Sequence, residues 1–153
     1  MGCKLERVAD HQNLVNVPEA IAQIVVKVDR IAKAINDVFL GGVHLGKEAV
    51  KISKSDTEPF VHEVTAAGKT GRLVCEIQLI KNELSGVVTL WKPVVQQNGD
   101  KEENPVWQFV QPRFSTANYT DSAGQIHHLD FSENADNLSY ALGLTFLVNF
   151  ITP

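Results

Sequence analysis

The sequence contains no long apolar run, which excludes a helical membrane protein of the usual kind. No stretch of the 153 residues approaches the roughly 20 consecutive apolar residues that a helix needs to cross a bilayer. Charged residues also occupy the N-terminal stretch in which a signal peptide would have its apolar segment. We therefore expect a cytoplasmic protein without a membrane span.

Cysteine and positive charge are also scarce. The cysteines are Cys3 and Cys75, too few for a disulfide framework or a four-cysteine zinc site. The 14 Lys and Arg residues are outnumbered by 18 Asp and Glu, which gives a formal net charge of -4. Because nucleic-acid binding draws on a basic surface that displaces counterions from phosphate, we expect no nucleic-acid partner.

What the sequence does contain is typical of one folded domain. Hydrophobic residues make up 44% of the chain and charged residues 21%, unlike the compositions of disordered chains. A chain of this length can bury about two-thirds of its unfolded surface around a single core. We predict one domain over 1–153, with an N-terminal arm at 1–15, a helix at 16–40 and a β region at 49–153.

The helix is predicted from a capping sequence and a heptad pattern. Asn16-Val17-Pro18-Glu19 places a capping residue, a first-turn proline and an acidic side chain at a helix N-terminus. Apolar residues then recur in steps of three and four, as on one face of a helix. They are Ile21, Ile24, Val28, Ile31, Ile35 and Val38.

Beyond residue 49 the apolar period changes to two, which predicts strands. The clearest pattern is a hairpin at 72–95, with a connection at Asn82 to Gly86. Further strands are predicted at 49–53, 60–65, 106–114 and 125–131, with surface loops at 96–105 and 115–124. The expected fold class is α+β: one long N-terminal amphipathic helix followed by a mostly antiparallel β-sheet or sandwich of about six strands.

The C-terminal segment carries the strongest strand pattern. Every second residue is large and apolar, namely Tyr140, Leu142, Leu144, Phe146, Val148 and Phe150. Small or polar residues such as Gly143 and Thr145 lie between them. We predict a closing strand at the centre of the core.

One short motif resembles a phosphate site. Ala67-Gly68-Lys69-Thr70 is similar to the end of a P-loop. However, Glu63 stands where the first glycine belongs, and the following residues alternate as a strand where the loop needs a helix N-terminus. We predict a tight hairpin turn instead.

A second motif raises the question of metal binding. His128 and Asp130 would share one face of a strand, so they are candidate metal ligands. No third ligand is local, and no serine or cysteine has the context of a catalytic nucleophile. We therefore predict no metal, cofactor or catalytic residue, and we favour a non-enzymatic protein.

The predicted helix has a wider apolar face than packing on one sheet requires. When such helices self-associate, Ile or Val at both seam positions favours trimers or tetramers over dimers. The residues assigned to this interface are Ile21, Ile24, Val25, Val26, Val28, Ile31, Ile35 and Leu40. The partner is then a second copy of the chain or another protein. The alternative is a core helix wrapped by its own β region.

The start Met1-Gly2-Cys3 resembles that of dually acylated proteins, but Glu6 stands where the myristoylation pattern has Ser or Thr. A lipid anchor at Gly2 and Cys3 is therefore the weaker interpretation.

The functional hypothesis is a structural or protein-interaction module that forms a homo-oligomer. The alternative is a small-ligand-binding β module, whose pocket would be lined by the aromatic residues Trp91, Trp107, Phe109 and Tyr119 and by the loops at 96–105 and 115–124. A metal-dependent enzyme is the third hypothesis.

Overall fold

The computed structural model describes residues 16–40, 50–66, 68–121, 123–129 and 135–152. In this part of the chain, seven strands lie between two helices. The elements are α1 (Val17–Leu40), β1 (Val50–Lys54), β2 (Val61–Ala66), β3 (Lys69–Ile80), β4 (Glu83–Val95), β5 (Lys101–Pro112), β6 (Ala117–Thr120), β7 (Ile126–Leu129) and α2 (Ala135–Ile151). The fold is α+β, as the change of apolar period predicts.

The seven strands form one antiparallel sheet whose order in space is their order in the chain. Each strand pairs with the next one through a short connection, which antiparallel pairing permits. The strands therefore make a meander in a single sheet, and the predicted alternative of a sandwich is not adopted.

Helix α1 covers one face of this sheet, which we call the helical face; the opposite side, which neither described helix covers, is called the open face. The seam residues Ile24, Val28, Ile31 and Ile35 are buried there. At Gly86 of β4, an added Cβ would come within 2.7 Å of Ile24 Cγ2. The missing side chain therefore lets the helix approach the sheet closely.

The predicted closing strand is wrong, because residues 135–151 form helix α2. Leu142, Phe146 and Phe150 are buried, whereas Val148, which a strand would place beside Phe146, is 55% exposed. Residues four apart share a face in a helix and in a strand, so both patterns fit the buried residues. A helix satisfies its own backbone hydrogen bonds. This segment can therefore pack against α1, β5 and β2 without pairing with a strand.

Three strand and loop boundaries in the structure differ from the predicted ones. β3 and β4 are joined by Lys81-Asn82, whose φ angles of 50° and 63° are those of a two-residue hairpin turn. The strand β4 therefore begins at Glu83, inside the predicted connection. The loop after β4 covers only 96–100, and β6 lies inside the predicted loop at 115–124.

Several predictions fall outside the described residues. They concern the N-terminal arm with Gly2 and Cys3, the candidate ligand Asp130, and the side chains of Leu40, Tyr140 and Leu144. Of the helices described, neither is long and apolar enough to span a membrane.

Candidate functional site

The pairing between β3 and β4 stops short of the N-terminal end of β3 and of the C-terminal end of β4. Their last cross-strand pair is Arg72 with Trp91, whereas β3 begins at Lys69 and β4 continues to Val95. Over this stretch β3 remains paired with β2, and β4 with β5. The sheet therefore splits into two diverging hairpins, β2–β3 and β4–β5, whose tips lie at the same end.

A β-bulge lies where the hairpins separate. Leu90 pairs with Trp107 but Trp91 pairs with Pro105, so Val106 is an extra residue in β5. An extra residue bends its strand and increases the local twist, which turns the β4–β5 hairpin away from its neighbour.

The root of the gap is closely packed around Gly71. A Cβ at this position would lie 2.5 Å from the backbone oxygen of Trp91 and 2.6 Å from Cε2 of Phe150. Glycine is therefore required where β3, β4 and the C-terminal end of α2 meet. The turn at the tip of the β2–β3 hairpin contains Gly68 with φ of 76°, which confirms the predicted hairpin turn.

An ion pair on the open face joins the two hairpins. Arg72 of β3 donates to both carboxylate oxygens of Glu103 in β5, with Nε–Oε1 at 2.9 Å and Nη2–Oε2 at 2.6 Å. Glu58 adds a second carboxylate at 4.0 Å. The hydrogen bonds to Glu103 raise the pKa of Arg72. This two-point contact holds the hairpins at a defined separation.

Between the hairpins lies a cleft of about 950 Å³, which we call the hairpin cleft. Its size is within the range of ligand sites in proteins. The apolar lining consists of Val61, Val64, Pro93, Val94 and Val95, and the hydroxyl groups come from Ser55, Thr65 and Thr70. The charged lining consists of Glu58, Glu63, Glu103, Lys69, Arg72, Lys92 and Lys101. Apolar walls with charged groups around them suit an amphipathic ligand.

Lys69, at the N-terminal end of β3, and Lys92 of β4 lie close together across the cleft. Lys92 is only 6% exposed, and its Nζ donates to the backbone oxygen of Thr152 at 2.8 Å, just beyond the last turn of α2. A cation is favourable at that end of a helix dipole. Burial lowers the pKa of Lys92, and the adjacent positive charge of Lys69 lowers it further. An anion bound beside the two lysines would oppose this lowering of the Lys92 pKa, because it stabilises the charged form.

Comparison with known proteins assigns no family. No protein-family model, curated protein or solved structure matches this chain. The interpretation of the cleft therefore rests on its own geometry. Its described lining contains neither histidine nor cysteine, the residues most often used as general base or as thiol nucleophile.

The predicted interface residues divide into two groups. Four of them are buried in the core of this chain, so packing within the chain already explains why they are apolar. They are Ile24, Val28, Ile31 and Ile35. Ile21 and Val25 are partly buried, and Val26 is 52% exposed. Among the side chains that the structure describes, what remains of the predicted surface is the exposed Val26 with the partly buried Ile21 and Val25.

The candidate metal ligand His128 is exposed on β7. Within the described ranges, no group of three His, Cys, Asp or Glu side chains is placed to hold a metal ion. The adjacent histidine is the one with a partner: His127 Nε2 lies 2.8 Å from Asp121 Oδ2, and its ring stacks on Tyr119. Asp121 also accepts two backbone N–H groups of the turn, so this network secures the β6–β7 hairpin.

A second titratable cluster lies between α1 and the first two strands. His62 is 8% exposed, and its Nε2 lies 3.0 Å from Asp29 Oδ1. Lys54 Nζ lies 3.1 Å from the other oxygen of Asp29. Burial lowers the pKa of His62, against the raising effect of Asp29. The lowered pKa favours the neutral form of the imidazole. Nearby Cys75 is also buried, which raises the pKa of its thiol to about 11.

A smaller cavity of about 530 Å³ lies between β5, β6 and α2. Trp107 and Tyr119 line it, with ring centroids 5.6 Å apart. The indole Nε1 of Trp107 is buried and has no hydrogen-bond partner among the described residues. Two of the aromatic residues predicted to line a pocket are therefore brought together here.

The sequence contained one signal for the hairpin cleft. Pro93 cannot donate a backbone hydrogen bond, and this indicates an edge or a bulge at the end of β4. In the structure, Pro93 lies beyond the last β3–β4 pair. The partners that complete the cleft, Arg72 with Glu103 and Lys69 with Lys92, are 31 and 23 positions apart and share no local pattern.

Proposed function

We propose that this protein is a non-enzymatic binding module whose ligand occupies the hairpin cleft. The observation that carries the proposal is the early end of β3–β4 pairing at Arg72 and Trp91, which leaves a space between the two hairpins lined by both apolar and charged side chains. Concave sites with apolar walls and a few fixed polar groups are the usual binding sites of proteins.

The cleft is held open before any ligand arrives. The Arg72–Glu103 contact bridges its open face, and the Lys92–Thr152 hydrogen bond ties its root to α2. A site formed in advance does not have to spend binding free energy on ordering its walls. This supports binding as the function of the cleft.

Binding can be tested with anilinonaphthalenesulfonate, a fluorescent anion with an apolar ring system. We expect a saturable fluorescence increase that reports one site. Val95→Asp removes an apolar wall residue and adds a negative charge, so it should weaken the dye about tenfold, equivalent to about 1.4 kcal/mol.

The matched control is Ile126→Asp, which makes a similar change on β7, away from the cleft. Ile126 and Val95 are similarly exposed, at 59% and 66%. If both variants weakened the dye equally, or neither did, the hairpin cleft would not be its binding site.

Self-association through α1 is the second candidate, because Val26 is 52% exposed beside the partly buried Ile21 and Val25. Sedimentation at tens of micromolar protein tests it. An oligomer that Val26→Lys dissociates would support this interface, and a monomeric wild-type chain would remove it.

A further inference from the structure

Two strand edges without partners face each other across the hairpin cleft. On β3, residues 69–71 pair only with β2; on β4, residues 92–95 pair only with β5. Half of the backbone groups of such strands point away from their one partner. In the described part of the chain, the cleft is therefore bordered by backbone donors and acceptors on both sides.

Unpaired edges of this kind are the surfaces to which extended peptides add as strands. The longer edge has four residues, 92–95, which corresponds to about 13 Å of extended chain. On β4, Pro93 and Val95 direct their backbone groups into the cleft, and Pro93 offers only its C=O. On β3, Thr70 alone directs its N–H and C=O there, because Lys69 and Gly71 are hydrogen-bonded to β2. The β4 edge is thus the longer of the two pairing surfaces.

The charge of the cleft indicates what kind of peptide fits. Four cationic and three acidic side chains line it, in a chain whose formal net charge is -4. Arg72 is engaged by Glu103 and Glu58. Lys69, Lys92 and Lys101 have no ion-pair partner among the described residues. The excess charge of the side chains that line the cleft is therefore positive, and it lies beside the unpaired strand edges.

We propose that the hairpin cleft binds an extended acidic peptide segment, which inserts as a strand between β3 and β4. The inference rests on the proposed binding function for its location and adds the class of ligand. Backbone pairing supplies the affinity, the valines receive the apolar side chains, and Lys69 with Lys92 receives the carboxylate.

The test uses three synthetic peptides, titrated to millimolar concentration against isotope-labelled protein. The first is acetyl-Thr-Val-Glu-Val-Glu-Thr-amide; the second has Lys in place of each Glu. The third has the first sequence with alternate residues N-methylated, which removes donors along one side. Amide chemical shifts and hydrogen exchange at 69–71 and 92–95 locate the binding.

We expect the acidic peptide to shift these amides and to slow exchange of those that face the cleft. The lysine and N-methylated peptides should each bind at least about tenfold more weakly. Lys69→Gln should weaken the acidic peptide, whereas Lys51→Gln, an exposed strand lysine outside the cleft, should leave its affinity unchanged.

The contrary outcomes separate the two proposals. Equal binding of the parent and N-methylated peptides would overturn strand insertion, although the cleft would remain a ligand site. Dye binding in the cleft without any peptide binding would do the same. Failure of dye and peptides alike would overturn both proposals. Concentration-dependent protection of the same amides without peptide would make a second copy the occupant, and this would also overturn the peptide proposal.

Discussion

Truncation of Phe146 to Ala should destabilise this protein more than any change on the exposed side of α2. Phe146 is fully buried, with its ring centroid 6.0 Å from that of Trp107 and 6.3 Å from that of Phe150. Removing a buried phenylalanine ring costs about 3–5 kcal/mol, because apolar contacts are lost and a cavity remains. The loss is a large part of the about 5–15 kcal/mol that stabilises a typical domain.

The matched control is Val148→Ala, two positions along the same helix. Val148 is 55% exposed, so its truncation should change the free energy of unfolding by about 0.5 kcal/mol or less. Urea denaturation, followed by circular dichroism, measures both values. For a domain of this size, the Phe146 variant should also melt about 6–20 °C lower.

The comparison separates a helix from a strand. In a strand, Val148 would lie on the same face as Phe146 and would be equally sensitive to truncation. Comparable losses at the two positions would therefore refute the helical assignment of the C-terminal segment. A tolerant Phe146 would refute its place in the core.

Three further changes test other contacts. Gly86→Ala should destabilise the protein by about 1–3 kcal/mol in urea denaturation, because its Cβ would lie 2.7 Å from Ile24 Cγ2 and 2.9 Å from Cys75 Sγ; an unchanged midpoint would contradict the close helix–sheet packing. Burial lowers the pKa of His62 from 6.5, so the unfolded chain binds more protons and stability should fall as pH drops through 6.5 towards the folded pKa. This pH dependence should be weaker in His62→Gln, and an identical profile would contradict the assignment. In a Cys3→Ser background, alkylation of the native protein should be slow, since burial raises the pKa of Cys75 to about 11; rapid labelling without denaturant would contradict that burial.

The sequence predicted those elements in which periodicity and local chemistry agree. Helix α1 was expected at 16–40 and is found at Val17–Leu40, because its seam residues recur with a period that no strand shares. The alternation in β3 predicts one buried face formed by Leu73, Cys75, Ile77 and Leu79; the first two are buried and Ile77 is partly buried, but Leu79, near the turn, is 46% exposed. In both segments, side chains at core positions differ clearly in polarity from those at most exposed positions.

The C-terminal segment could not be assigned in this way. Nearly every residue from Leu142 to Phe150 is apolar or small, so the sequence contains a strand pattern and a helical one together. Tertiary packing decides between them, because the apolar surface of α1 and β5 buries one side of the C-terminal segment as a helix. The hairpin cleft could not be predicted from short sequence patterns either, because it arises where the pairing between two strands stops.

The meander also determines when each part of the protein can fold during synthesis. Each strand pairs with the one before it, so the sheet can extend from β1 to β7 as the chain emerges, through contacts that are close in sequence. The helix that completes the core, α2, follows all seven strands in the chain. Until α2 has emerged from the ribosome, the part of the helical face that holds Trp107 lacks Phe146, and an apolar surface remains open to water. We expect stalled or C-terminally truncated chains to aggregate at this surface, even though all seven strands are present.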